Sequence, residues 1–293
     1  MASRRSSIGV LVAISAVWGS SWIANSMLRE QCEPLQLATL RYSFGGVLLL
    51  VAGAAHRPAR HQSSLTVNAI LAATMFAAPN LLLLWAAQHG AGSLTPLIYA
   101  AMPLGLSLAV GKLRPAAIAA VGAMLVLLNG SFTLTAEKLI WALPTAVAVA
   151  LQGWSLVYAR RHLATASSLI GVGMQLLAAA AMLWIALQLQ PERATPPLAH
   201  WPASSIAALA ALAVLGTAAA SPLDYQLLAH LEPAQVAVSE WLQILVAVGE
   251  SAVLLGQQPG WTMIVAAFIL VVCAIQLLRS DHLEASVRLG LSA

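Results

Sequence analysis

Ten stretches of mostly apolar residues follow one another along this chain, parted by breaks of only a few polar residues. A helix crossing the hydrocarbon of a bilayer needs about twenty such residues. Drawn on that rule, the spans run over 7–28, 35–55, 65–88, 94–110, 115–132, 139–158, 167–189, 204–228, 234–255 and 261–278. The breaks at 111–114 (Gly-Lys-Leu-Arg) and 257–260 (Gln-Gln-Pro-Gly) keep neighbouring spans from merging. Pro34, Pro115 and Pro233 stand where helices should begin, which suits a residue without an N–H. Of 293 residues, 60% are apolar and only 8% charged, where a soluble domain carries about 25%. So little polar surface cannot cover a water-soluble core, and the expected class is an all-α membrane protein.

The net charge of +4 reports topology rather than a nucleic-acid partner, because the basic residues cluster in short loops. With the N-terminus inside, the cytoplasmic segments hold ten of them: Arg4, Arg5, Arg57, Arg60, Lys112, Arg114, Arg160, Arg161, Arg279 and Arg288. The opposite side holds three, Arg29, Lys138 and Arg193. That asymmetry predicts cytoplasmic termini. One inner loop is discordant, since the stretch around His230 and Glu232 has no basic residue. Arg4 and Arg5 precede an apolar run that is long for a signal peptide and lacks a small-x-small cleavage site, so an uncleaved first span is expected. Cys32 and Cys273 offer no disulfide framework.

Two halves are discernible. Arg41 and Gln175 are separated by the same distance as Gly19 and Gly153. His89 matches His230, and Ala78-Pro79-Asn80 falls near the place of Ser221-Pro222-Leu223-Asp224. Five spans per half is an odd number, so the second half is expected to be inverted, the plan of many secondary transporters. The expected units are 1–135 and 136–293.

Trp18-Gly19-Ser20-Ser21-Trp22, then Pro34, then Leu40-Arg41-Tyr42, resembles the opening of EamA-type members of the drug/metabolite transporter superfamily. The likeness continues through Ala86-Ala87-Gln88-His89-Gly90-Ala91-Gly92 and Pro103, and its layout covers essentially the whole chain. The resemblance implies ten transmembrane helices as two inverted five-helix repeats, with a central cavity lined by spans one, three, four, six, eight and nine. It implies export of a small metabolite, an amino acid or a related amphipathic solute, across the bacterial inner membrane. Gly111-Lys112 and Gly256-Gln257 stand where that family usually has an acidic residue, so no role for that carboxylate carries over.

A charge inside a span is costly and is read first as functional. Arg41 lies roughly 9 Å below the outer end of its span at the usual helical rise, and Glu250 lies at a similar depth. Three readings of Arg41 stand: a bond to helix-end carbonyls or a snorkelling side chain, a contact with a substrate carboxylate, and a buried pair with Glu250. Asp224 and Glu240 lie towards the inner side of spans eight and nine. Either could carry a proton, because a low dielectric favours the neutral carboxyl; either could simply reach cytoplasmic water. Glu240 is the stronger candidate.

Trp18 and Trp22 share a helix face with Ser21 nearby. With Trp154, Tyr99 and Gln243 they could line a cavity for a ring-bearing or zwitterionic solute, and packing is the alternative for each tryptophan. Trp141, Trp201 and Trp261, at outer ends, suit interface anchors. Pro79 and Pro222 interrupt spans three and eight, where a freed carbonyl could shape a gate or simply be tolerated. Asn80 is the adjacent side chain able both to donate and to accept.

Histidines show no helical ligand spacing and no phosphate-binding loop is present, so neither a metal, a cofactor nor ATP is expected. The expected partners are a small-molecule substrate, protons and the lipid bilayer. An intramembrane enzyme would want paired aspartates or a histidine cluster, and only Asp224 lies in a span. A purely structural membrane protein would not need polar side chains in the middle of spans one, three and nine. A channel remains open, without a visible filter or ring of like charges. Gly122, Ala119 and Ala123 permit close helix packing within one chain or between two, so oligomeric state stays open.

Overall fold

The computed structural model describes residues 4–28, 30–55, 63–89, 94–109, 111–129, 136–163, 168–189, 198–254, 256 and 260–288. Some side chains within these helices, that of Trp22 among them, lie outside the description. The helices are α1 (Arg4–Leu28), α2 (Pro34–Ala55), α3 (Leu65–Gln88), α4 (Thr95–Ala100), α5 (Met102–Ala109) and α6 (Leu113–Asn129). There follow α7 (Ala136–Leu163), α8 (Leu169–Gln188), α9 (Ala203–Leu227), α10 (Pro233–Leu254) and α11 (Trp261–Arg288). Among the described residues no strand occurs.

Seven of these helices are long and apolar enough to cross a membrane. Large apolar side chains face outward, among them Val51, Trp184 and Phe268, each more than half exposed. Such a surface is unsuited to water and suited to lipid. The chain is therefore a membrane-embedded helical protein.

In lipid, helices associate through close packing rather than through the hydrophobic effect, and small residues let backbones approach. The α2–α8 contact illustrates this. A Cβ on Gly46 would lie 3.1 Å from the carbonyl oxygen of Gly173, and a Cβ on Gly173 would lie 3.0 Å from that of Gly46. A Cβ on Gly19 in α1 would meet the Val246 side chain of α10 at 2.6 Å, so that crossing also requires glycine. Its sequence counterpart Gly153 has ordinary space, with Leu106 at 3.5 Å.

Two helices depart from regular α geometry. In α3 a π-helical turn occupies Ala72–Ala77, and in α9 another occupies Val214–Ala219. Each lies just ahead of a proline, Pro79 or Pro222. Proline has no N–H for the carbonyl four residues back, and the wider i→i+5 turn leaves further carbonyls to be satisfied from outside the helix. Gln152 of α7 fills that role for Pro79, donating from Nε2 to the carbonyl of Met75 at 3.3 Å. The expected span 94–110 is also divided, with a turn at Ala101 ahead of Pro103.

At one end of the bundle Glu232 pairs with Lys112 at 3.2 Å and with Arg160 at 3.6 Å. The loop that lacked a basic residue thus draws its cations from two neighbouring segments. Gln235, in a capping box with Glu232, also donates to the carbonyls of Leu277 and Leu278 in α11. Trp201, expected as an interface anchor, is instead buried with Cys32, Leu37 and Leu209.

Candidate functional site

A cavity of about 320 Å³ lies inside the bundle. Its walls come from α1, α2, α3, α4, α5, α7, α9 and α10, including all seven elements that make up the six spans expected to line it. The addition is α2, which contributes Arg41 and Tyr42. Seven residues singled out in the sequence meet there: Trp18, Ser21, Arg41, Tyr99, Asp224, Glu240 and Gln243.

The π turn of α9 organises one side. Its Gly216 carbonyl accepts the indole N–H of Trp18 at 3.0 Å. Thr217 donates its hydroxyl to Leu212 at 3.0 Å, and its oxygen accepts from Nε of Arg41 at 3.1 Å. The Arg41 guanidinium also lies 5.3 Å from the centre of the Tyr42 ring. Gly45 makes this approach possible, since a Cβ there would lie 2.9 Å from the Thr217 methyl. A hydroxyl has one proton; with that proton committed to Leu212, its lone pair is left for the arginine.

The π turn of α3 organises another part of the wall. Asn80 donates to Tyr42 Oη at 2.9 Å and to the Phe76 carbonyl at 2.7 Å. Asn80 therefore holds the cavity-lining Tyr42 rather than lining the cavity itself. Tyr99 donates to Gln152 Oε1 at 2.6 Å, so one amide serves both the proline-freed carbonyl and a wall tyrosine.

Asp224 and Glu240 form the acidic part of the cavity. Asp224 is 4% exposed, which excludes the reading that it simply reaches interfacial water. The two carboxylates are electrostatic neighbours, and Gln243 interacts with Glu240 from one turn further along α10. Among the described residues, none of Arg41, Asp224 and Glu240 belongs to an ion pair.

Three expectations change. Glu250 does not pair with Arg41: it accepts from Ser20 and lines a separate apolar recess between α1, α9 and α10. Its span turns it away from the central cavity, a rotation that depth alone cannot reveal. Trp154 is about half exposed and stacks on Tyr158 at 4.9 Å on the outer face of α7. Trp22 lies outside the described side chains. Arg41 bonds a threonine hydroxyl of another helix, not helix-end carbonyls.

Thr217, Gln152, Ser221 and Ser239 are the contributors that the sequence reading missed. Gln152 carried a signal, as an amide beside the repeat glycine Gly153. Gln175, the counterpart of Arg41, is fully buried in a separate network, accepting from Tyr225 at 2.8 Å and donating to Asn68 at 2.9 Å.

No family model matches the chain, and no curated protein matches it. Fourteen solved chains are similar in structure. In one, a crystal structure, the similarity covers 96% of this chain and 100% of that one, with TM-score 0.78 and 20% identity. At that identity the likeness establishes a shared fold. Fold and cavity together define the class: a helical membrane protein with a charged, aromatic-walled internal cavity.

Proposed function

We propose that this chain is a secondary transporter, an EamA-type permease of the drug/metabolite transporter superfamily. In this reading its ten transmembrane helices form two inverted five-helix repeats, 1–135 and 136–293. It exports a small metabolite, an amino acid or a related amphipathic solute, across the bacterial inner membrane by alternating access, with both termini cytoplasmic.

The observation that carries the reading is one cavity, walled by helices of both halves, holding an unpaired Arg41 and an unpaired Asp224–Glu240 couple among aromatic side chains. Unpaired charges kept inside a membrane protein are expensive and mark substrate or ion pathways. Two relationships support the repeat. The π turns stand ahead of prolines in corresponding helices α3 and α9. Arg41 and Gln175 each reach into the opposite half, to Thr217 and Asn68. In this mechanism Arg41 with Trp18, Ser21 and Tyr99 holds the solute, and Asp224 and Glu240 supply the charge coupling.

The test is uptake of an amino-acid and metabolite panel into proteoliposomes containing the purified chain. At least one solute is expected to exchange across the membrane, and Arg41→Gln should abolish the flux while leaving normal amounts of folded protein. Equal flux in Arg41→Gln and the unaltered protein removes the site from the mechanism; absence of flux for every solute removes the transporter reading.

A further inference from the structure

The acidic corner of the cavity contains more oxygen than two carboxylates. Ser221 and Asp224 are three residues apart on α9 and share a face. Ser239 and Glu240 follow a turn at Ala237 and Val238 that interrupts α10, and all four residues line the same cavity. Ser221, Asp224 and Ser239 are 7%, 4% and 3% exposed, yet among the described residues their side chains have no hydrogen-bond partner. Their polar atoms open onto the cavity, where a ligand rather than the protein can satisfy them.

The backbone changes pitch beside these residues. Between Gln235 and Trp241 the α10 helix tightens: Val238, Glu240 and Trp241 donate to carbonyls three residues back, at 3.2, 3.1 and 3.0 Å. Interrupted helices are where transporters present oxygen ligands to coupling ions. Among the described residues no cation pairs with these carboxylates. Arg41 is held at Thr217, seven residues from Asp224, which is about 10 Å along α9.

We propose that Ser221, Asp224, Ser239 and Glu240 form a binding site for a small alkali cation, sodium, which is the coupling ion of the transporter proposed above. Hard cations take oxygen ligands, and this corner offers two carboxylates and two hydroxyls from two helices. A proton would need only one of these oxygens; three unpartnered oxygen-bearing side chains beside Glu240, which Gln243 bonds, match a coordinated ion. Because α9 and α10 both supply ligands, an ion here ties the two helices together and is released when they separate.

The experiment is thermal unfolding of the purified full chain at pH 8 in sodium chloride, potassium chloride, choline chloride or calcium chloride at matched ionic strength. Sodium is expected to raise the melting temperature saturably, by several degrees over choline. Asp224→Asn and Ser239→Ala should each lose at least tenfold in apparent sodium affinity, while Gln226→Ala, on the exposed face of α9, keeps it. Ser239→Ala and Ser221→Ala keep the test decisive if Asp224→Asn does not fold. The proposal is overturned if sodium and choline give equal melting temperatures, if calcium alone stabilises, or if the sodium shift survives in both Asp224→Asn and Ser239→Ala. The readout needs no substrate and no flux. A sodium shift without solute flux would sink the transporter reading and leave the site standing, and flux without a sodium shift would do the reverse.

Discussion

The guanidinium of Arg41 is held by the hydroxyl of Thr217, 3.1 Å from Nε, on a π-helical turn of a helix far away in sequence. This bond orients the one charged side chain of α2, and Thr217 itself is oriented by its bond to Leu212.

Thr217→Val should therefore impair solute recognition without unfolding the bundle. One hydrogen bond to a charged group is worth about 1.5–3 kcal/mol, so KM for the transported solute should rise by about tenfold or more at nearly unchanged protein yield. Thr217→Ser keeps the hydroxyl and should stay within about twofold of the native value on the same energy scale. Concentration-dependent flux measurements on the two variants make the comparison. Equal KM for valine and serine variants would show that the bond does not position Arg41 for transport.

The glycines of the repeat should behave differently from one another. Gly19→Ala puts a methyl 2.6 Å from Val246 and 2.9 Å from the Gln243 carbonyl, against backbone that cannot yield. Overpacking of this kind costs about 1–3 kcal/mol. Gly153→Ala meets only ordinary contacts and should change stability by no more than about 1 kcal/mol. Thermal unfolding of both variants in the same lipid or detergent would reveal the contrast, and equal melting temperatures would refute it.

Glu232 clamps Lys112 and Arg160, but all three side chains are partly exposed, at 28%, 24% and 40%. Exposed pairs contribute about 0–1 kcal/mol and weaken with salt. Glu232→Gln should thus lower stability slightly at low ionic strength, with the difference vanishing near 1 M salt. A deficit that persists at high salt would instead implicate the capping box with Gln235.

The Cys32 thiol lies between α1 and α2, and burial, reinforced by the neighbouring Glu33 carboxylate, pushes its pKa up to about 11. A raised thiol pKa means that the neutral form persists as pH rises past the ordinary thiol range, and the thiolate is the nucleophile. Maleimide labelling of Cys32 in the folded protein should be slow at pH 7 to 9 and accelerate only towards pH 11. Rapid labelling of the folded chain at pH 7 would contradict this environment.

Much of the architecture was readable from composition and spacing. Seven of the ten apolar stretches stand as helices of membrane-crossing length, and Trp18, Arg41, Asp224 and Glu240, each a candidate on sequence grounds, line one cavity. Depth along a helix follows from residue count, which is why Arg41 and Glu250 looked like partners. Azimuth does not: Glu250 lies at a plausible depth on the wrong side of α10, and Trp154 on the outer side of α7. The π turns were also invisible, because Ala72–Ala77 and Val214–Ala219 are as apolar as ordinary helix and only hydrogen-bond spacing distinguishes them.

The feature that constrained the chain most strongly was its series of apolar stretches with so few charges. By itself the sequence determined that the chain is helical and membrane-embedded, because apolar length and scarcity of charge are properties of local stretches and water excludes both. Tertiary structure decided which polar side chains converge. It set Arg41 on Thr217 and brought Asp224, Glu240, Ser221 and Ser239 to the lining of one cavity. That choice depends on how each helix is rotated against its neighbours, and rotation is settled by close glycine crossings and π turns rather than by hydropathy.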